Sequence, residues 1–262
     1  MNKWVILAVL ISFLSCQKAQ RDEDNAVNTC EDISLAQTIF ADAYKQIRLA
    51  ALNAEGISDA ETTLTTIYGC EEIKVDTIRN IKNIIIDYKY LGCQGLGATR
   101  YGRLLADFYG AFGEEGSAVD ITFSNYFYED YEIDGTIRII FKERNSSDEE
   151  VHTFYLQSGS VYDGSSTMIW TSSQTWTINS KSKLETYSFT GNSNGINRKG
   201  NSFTSIITTP NEMIEDCLYV GKGKRDVDVK NLSLRRLDFG NGTCNRNAQV
   251  TINGSVYGLS VP

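Results

Sequence analysis

One histidine and six cysteines bound the chemistry open to this 262-residue chain. A Ser–His–Asp site would have to use His152, and no G-x-S-x-G elbow is present to present a serine. His152 lies in an alternating, strand-like stretch just after Asp148, Glu149 and Glu150, which predicts an exposed strand side chain. Zinc sites built on histidine need two or three of them, and no C-x-x-C pair occurs to build one on thiolates. Asp130-x-Glu132-x-Asp134-Gly135 imitates the opening of a calcium loop, but the twelfth position is Phe141, where a bidentate glutamate is required. Asp134-Gly135 therefore reads as a hairpin turn. Gly95-Leu96-Gly97 and Gly221-Lys222-Gly223-Lys224 match neither a dinucleotide fingerprint nor a P-loop, and read as turns. No catalytic residue, metal ligand or cofactor is assigned. A pair of carboxylates widely separated in sequence, as in glycoside hydrolysis, is kept as an alternative in which the chain is a hydrolase.

The first fifteen residues have the build of an export leader. Lys3 supplies the positive end, WVILAVLISFL the apolar centre and Ser15 the small residue. The apolar run is too short to cross a bilayer of about 30 Å as a helix. Phe13-Leu14-Ser15-Cys16 resembles the lipobox of bacterial lipoproteins. That resemblance implies lipid attachment at Cys16, a membrane partner through its acyl chains, and a hydrophilic tether over residues 16–29. Within the tether, Lys18 and Arg21-Asp22-Glu23-Asp24 resemble the charged signals that send some Bacteroidetes lipoproteins to the cell surface; a plain solvated linker is the equal alternative. The expected location is the outer membrane, facing either the periplasm or the cell surface. A formal charge of −8 excludes general attraction to nucleic acid.

An exported chain meets an oxidising compartment, and setting Cys16 aside leaves five cysteines. Four of them frame a unit that occurs twice. Cys70 precedes EEIKVD, a turn and NIIIDYKYLG before Cys93; Cys217 precedes LYVGKGKRD and NLSLRRLDFGNGT before Cys244. Pairing Cys70 with Cys93 and Cys217 with Cys244 staples each hairpin to itself, each bond contributing about 3 kcal/mol in the chain-entropy model. Cys30 is left over.

The elements around these groups are predominantly β. Residues 31–55 read as one amphipathic helix, with Leu35, Ile39, Phe40, Ala43, Tyr44, Ile47, Ala51 and Leu52 on the apolar face and Asp42, Lys45, Gln46 and Arg48 on the other. From Leu64 the period changes to two. Strands are predicted at 84–86, 103–112, 119–128, 133–142, 151–157, 167–178, 183–189, 202–208, 217–220, 232–239, 248–252 and 256–261. Turn pairs are read at Ser158-Gly159, Asp163-Gly164, Gly191-Asn192, Asn194-Gly195, Asn241-Gly242 and Asn253-Gly254. The expected fold is mainly β (α+β): one domain over residues 30–262, an antiparallel meander or sandwich with the N-terminal helix packed on the sheet.

Trp170 and Trp176 are an even number of residues apart and share a strand face, with Tyr162 nearby. Exposed, such a face would stack on sugar rings; on the inner side of a sheet it is core, the reading preferred here. The stretches IDYKYLGCQGLGATRYGRLLADFYGAF, GSAVDITFSNYFYEDYEIDGTIRI and LDFGNGTCNRNAQVTINGSVYGL resemble segments of uncharacterised lipoproteins of Flavobacteriia and other Bacteroidetes. The resemblance covers most of residues 31–262 and implies no activity. Gly95-Leu96-Gly97 departs from the aspartate-glycine pattern usual there. Together these readings give a lipid-anchored envelope protein in a non-catalytic binding or structural role, with a glycan or an envelope protein as the expected partner.

Overall fold

The computed structural model describes residues 25–261, so Cys16 and most of the tether lie outside the described residues. The described chain opens with α1 (Asn28–Leu52) and continues through thirteen strands: β1 (Glu72–Asp76), β2 (Lys82–Gly95), β3 (Ala98–Tyr109), β4 (Ala118–Tyr128), β5 (Tyr131–Arg144), β6 (Glu150–Tyr162), β7 (Thr167–Asn179), β8 (Thr186–Ile196), β9 (Ser202–Ile214), β10 (Lys222–Val229), β11 (Arg235–Asn241), β12 (Asn247–Ile252) and β13 (Ser255–Ser260). Each strand pairs antiparallel with the next, so the fold is a meander in one open sheet and not a sandwich, with β1 and β13 as its edges. Residues 28 and 29, assigned to the tether by sequence, belong to the helix, and α1 stops at Leu52 instead of residue 55.

The largest correction concerns α1. The predicted polar side does not face water: every residue from Asp32 to Arg48 is buried. The sheet curls around the helix, touching it from β2, β3 and β4 on one flank to β7 and β10 on the other. The helix is therefore the centre of the core rather than a cover on one face. Phe40 packs on Phe123 and Trp170, and Tyr44 on Trp176.

A sheet that closes around a helix must bend sharply, and the sequence supplies the bends inside long strands. Asp134-Gly135 lies within β5, Ser158-Gly159 within β6, and Gly191-Asn192 and Asn194-Gly195 within β8, so none of these is a turn. The register shifts between Asp134 and Thr136, between Leu156 and Gly159, and between Phe189 and Asn192. These are β-bulges, which raise local twist and bend the strand. Glycine is needed there because strands come close. A Cβ on Gly191, at the β8 bulge, would lie 2.3 Å from the Ser173 carbonyl oxygen. Lys222 and Gly223 likewise open β10 through a bulge, while the predicted strand at 217–220 is irregular chain. Asn253-Gly254 does form the two-residue hairpin turn, with φ of 50° and 86°.

Gly191→Ala should lower the free energy of urea unfolding by about 3 kcal/mol or more, because the obstruction is backbone that cannot rotate away. Gly258→Ala, in open space on the edge strand β13, should change it by less than about 1 kcal/mol. Equal effects at the two positions would contradict this account of the bends.

Candidate functional site

Burying a helix that carries Asp32, Gln37, Asp42, Lys45, Gln46 and Arg48 obliges the surrounding strands and loops to supply partners. Asp42 and Arg100 of β3 form a two-pronged ion pair, Nε and Nη2 donating at 2.8 and 2.7 Å, with neither side chain exposed. Asp32 accepts from Arg198 at 2.7 Å. Lys45 donates to the carbonyl oxygens of Ile214 and Cys217 at 2.9 and 2.8 Å; burial brings its pKa down to about 8. Gln46 donates to the Tyr68 hydroxyl at 2.6 Å.

His152 belongs to this interior, which corrects its expected exposure: it is 2% exposed. The residue falls on the inward face of β6 because Phe154 and Leu156 alternate with it there. The Tyr44 hydroxyl donates to its Nδ1 at 2.8 Å, and its Nε2–H donates to Glu150 at 3.0 Å. Arg48 donates to the same carboxylate oxygen at 2.7 Å, and also to Glu185. The order hydroxyl, imidazole, carboxylate has the layout of a catalytic relay. The Tyr44 hydroxyl is nevertheless enclosed, and burial pushes its pKa well up, so it stays a proton donor that holds the imidazole in place. Burial also lowers the His152 pKa and keeps the ring neutral. For Glu150, burial alone would raise the pKa; the His152 hydrogen bond and the Arg48 charge outweigh it and hold the carboxyl at about 2.

The three aromatics Tyr162, Trp170 and Trp176 do not form one exposed face. Both tryptophans are fully buried: Trp176 is sandwiched between Phe154 and Phe189, ring centroids 5.1 and 4.7 Å away, and Trp170 lies against Phe40. Their shared strand face is the one turned to α1, so they offer nothing to a sugar. Tyr162 is on the outside, its hydroxyl donating to the Gly164 carbonyl. The four predicted bridging cysteines form two disulfides, Cys70–Cys93 and Cys217–Cys244. Cys70, Cys93 and Glu71 lie within metal-ligating distance of one another, but both sulfurs are consumed by the bond. Cys30 is a free, buried thiol whose pKa is pushed up to about 12 by burial.

The outer surface holds a cleft of about 800 Å³ on β2, β3 and β4 that sequence reasoning missed. Irregularities in the three strands align there: Lys89, Gly102 and Asn125 all have positive φ, Lys89 pairs with Gly102, and a Cβ on Gly102 would strike the Asn125 carbonyl oxygen. Tyr90, Tyr101 and Phe127 line it, Tyr90 being 86% exposed. Tyr101 is seated on the backbone of Gly92, where a Cβ would lie 2.4 Å from the ring. Arg103 and Asp87 join at 2.8 Å beside the rings, and Glu129 and Asp130 close the far side. Burial would raise the Asp87 pKa, but the Lys89 backbone N–H and Arg103 lower it on balance, so it is an acceptor and not an acid catalyst. The available signals were the glycines at 92 and 102 within aromatic, alternating stretches.

Comparison with protein-family models, curated proteins and solved structures returns no match.

The interior network makes stability fall on acidification. A histidine with a lowered folded pKa takes up its proton more readily when unfolded, so His152 destabilises the fold progressively as pH drops below about 6.5. Glu150, depressed in the fold, contributes stability above about pH 4.5 that is lost as pH falls towards 2. Unfolding free energy measured from pH 7, below the Lys45 titration, to pH 3 should decline in these two windows, and His152→Gln should remove the upper one. An unchanged upper window in that variant would place its origin elsewhere.

Proposed function

We propose that this chain is a lipid-anchored envelope protein of the outer membrane that binds a saccharide, without turning it over, in the cleft on β2, β3 and β4. The cleft carries the reading. Sugar rings combine apolar C–H faces with hydroxyl pairs, and here tyrosine and phenylalanine rings adjoin a guanidinium and carboxylates. Tyr101 is held from beneath by Gly92, so its ring position is set before a ligand arrives. Support for the anchor comes from the apolar leader and the Phe13-Leu14-Ser15-Cys16 sequence. The sequence-based glycan reading thus moves from Trp170 and Trp176 to Tyr90, Tyr101 and Phe127. Asp87, held ionised by Arg103 and the Lys89 N–H, serves better as an acceptor from sugar hydroxyls than as the proton donor a glycoside hydrolase requires.

A glycan array followed by titration calorimetry tests the binding. Expected is millimolar to micromolar affinity for a defined saccharide, weakened about tenfold or more by Tyr101→Ala. Saccharide binding unaffected by Tyr101→Ala and Tyr90→Ala would exclude this cleft, and release of reducing ends from a bound polysaccharide would favour the hydrolase. Cys16→Ser should move the protein from the membrane to the soluble fraction.

A further inference from the structure

The inner face of β7 to β10, where it meets the first half of α1, has more hydrogen-bond donors than acceptors and a buried positive charge without a counter-charge. Arg225 of β10 is 1% exposed. Its Nη2 donates to Gln37 Oε1 at 3.0 Å and to Asn211 Oδ1 at 3.3 Å, while Nε and Nη1 reach no acceptor. Arg48 and Arg100, also buried, each have a carboxylate. Arg225 has none among the described residues; the one ionisable group that bears on it is the thiol of Cys30, which is neutral. Burial lowers the arginine pKa only to about 10, so the guanidinium remains charged at neutral pH.

The groups around it worsen the imbalance. Gln37 Oε1 already accepts from Gln174 at 2.7 Å as well as from Arg225, and Gln37 Nε2 finds no acceptor. The Gln174 carbonyl is taken by the Trp176 indole N–H at 2.8 Å. Asn211 Nδ2 is unsatisfied; the hydroxyls of Ser193 and Ser205 also lack partners, each with lone pairs as well as a donor to offer. These serines face each other across β8 and β9, and Ser205 in turn pairs with Val227, two residues along β10 from Arg225. Exchanging the amide oxygen and nitrogen of Gln37 cures nothing, because it would set an NH₂ group against the donors of both Arg225 and Gln174. A bridging water could satisfy some of these donors but would leave the charge. An unpaired charge in such a place is strongly unfavourable.

We propose that the interior binds one small monovalent anion, of the size of chloride or bromide, against an unpaired guanidinium nitrogen of Arg225 and beneath the amide of Gln37. Only an acceptor carrying negative charge answers both deficits. It must also be compact, because Gln37, Ser205, Asn211 and Arg225 are each at most 2% exposed. The anion would tie β10 to α1 as Arg100 and Asp42 tie β3 to it.

Crystals of the full-length protein in detergent, grown in sodium bromide, test this by anomalous scattering at the bromine edge. The expected result is a peak in contact with Arg225 Nε or Nη1. In parallel, Tm measured at constant ionic strength should rise by about 2–5 °C for each tenfold increase in bromide above its Kd, with gluconate as the exchanged anion. Arg225→Met should abolish both signals. Should that variant fail to fold, the wild-type halide dependence still decides. Density at Arg225 without anomalous signal, or a Tm indifferent to the replacement of gluconate by bromide, would overturn the proposal.

Discussion

The bidentate pair between Asp42 and Arg100 is the interaction on which the rest of this architecture turns. Neither side chain touches water, and Arg100 also donates to the carbonyl oxygens of Gly95 and Ala98 while lying over the rings of Tyr68 and Tyr128. A buried ion pair adds little net stability over an apolar pair of the same shape, because both charges must be stripped of water. Its value is positional. A helix enclosed on every side by a curled sheet has many rotations that bury similar apolar area, and only one that brings Asp42 to Arg100, Arg48 to Glu150 and Glu185, and Asp32 to Arg198. Every other rotation leaves charges uncompensated. The polar groups thus select a single seating that hydrophobic burial alone would leave degenerate.

Enclosing the helix also explains the surface. Strands of eleven to fourteen residues, as in β2 to β5, cannot curl tightly while keeping regular pairing. Breaks in register across β2, β3 and β4, around Lys89, Gly102 and Asn125, turn the sheet inward at one line. The bend that closes the concave side around α1 opens the cleft on the convex side and turns Tyr90 and Tyr101 toward it. Core and cleft share one cause.

Much of this was legible in the chain. The antiparallel order and the pairing within each repeated cysteine unit follow from local patterns, while the period of two read from Leu64 starts only at Glu72. The enclosure of the helix did not, because Asp42, Lys45, Gln46 and Arg48 have the composition of a solvated face. Only their distant partners show otherwise, and Arg100 and Glu150 lie far along the chain with nothing local to mark them. His152 was misjudged for the same reason: acidic neighbours suggest solvent, yet Glu150 is itself buried and shared with Arg48. The internal glycines were read as turns because Asp-Gly and Asn-Gly carry that meaning in short hairpins. In long strands that must curl, the same residue marks a bulge where a neighbouring backbone comes too close for a side chain. The cleft residues stayed hidden because a cleft made by aligned bulges has no signature within any one strand.

The two cysteine units, far apart in sequence, meet at one end of α1. Tyr68 and Glu71 beside Cys70, and Asp216 beside Cys217, lie around the second half of the helix. There Gln46 reaches the Tyr68 hydroxyl and Lys45 the carbonyl oxygens of Ile214 and Cys217. Here the covering chain is irregular rather than strand, so no ladder of backbone hydrogen bonds holds it. Segments of this kind open at low free energy unless something else restrains them. The disulfides supply that restraint, each closing a loop of 23 or 27 residues and removing about 3 kcal/mol of chain entropy from the unfolded state. Lys45 and Gln46 then find fixed acceptors instead of a fraying loop, and the end of the helix that the meander leaves thinly covered remains closed. The repeat is therefore one solution used twice to the problem of sealing a buried polar helix inside an open sheet.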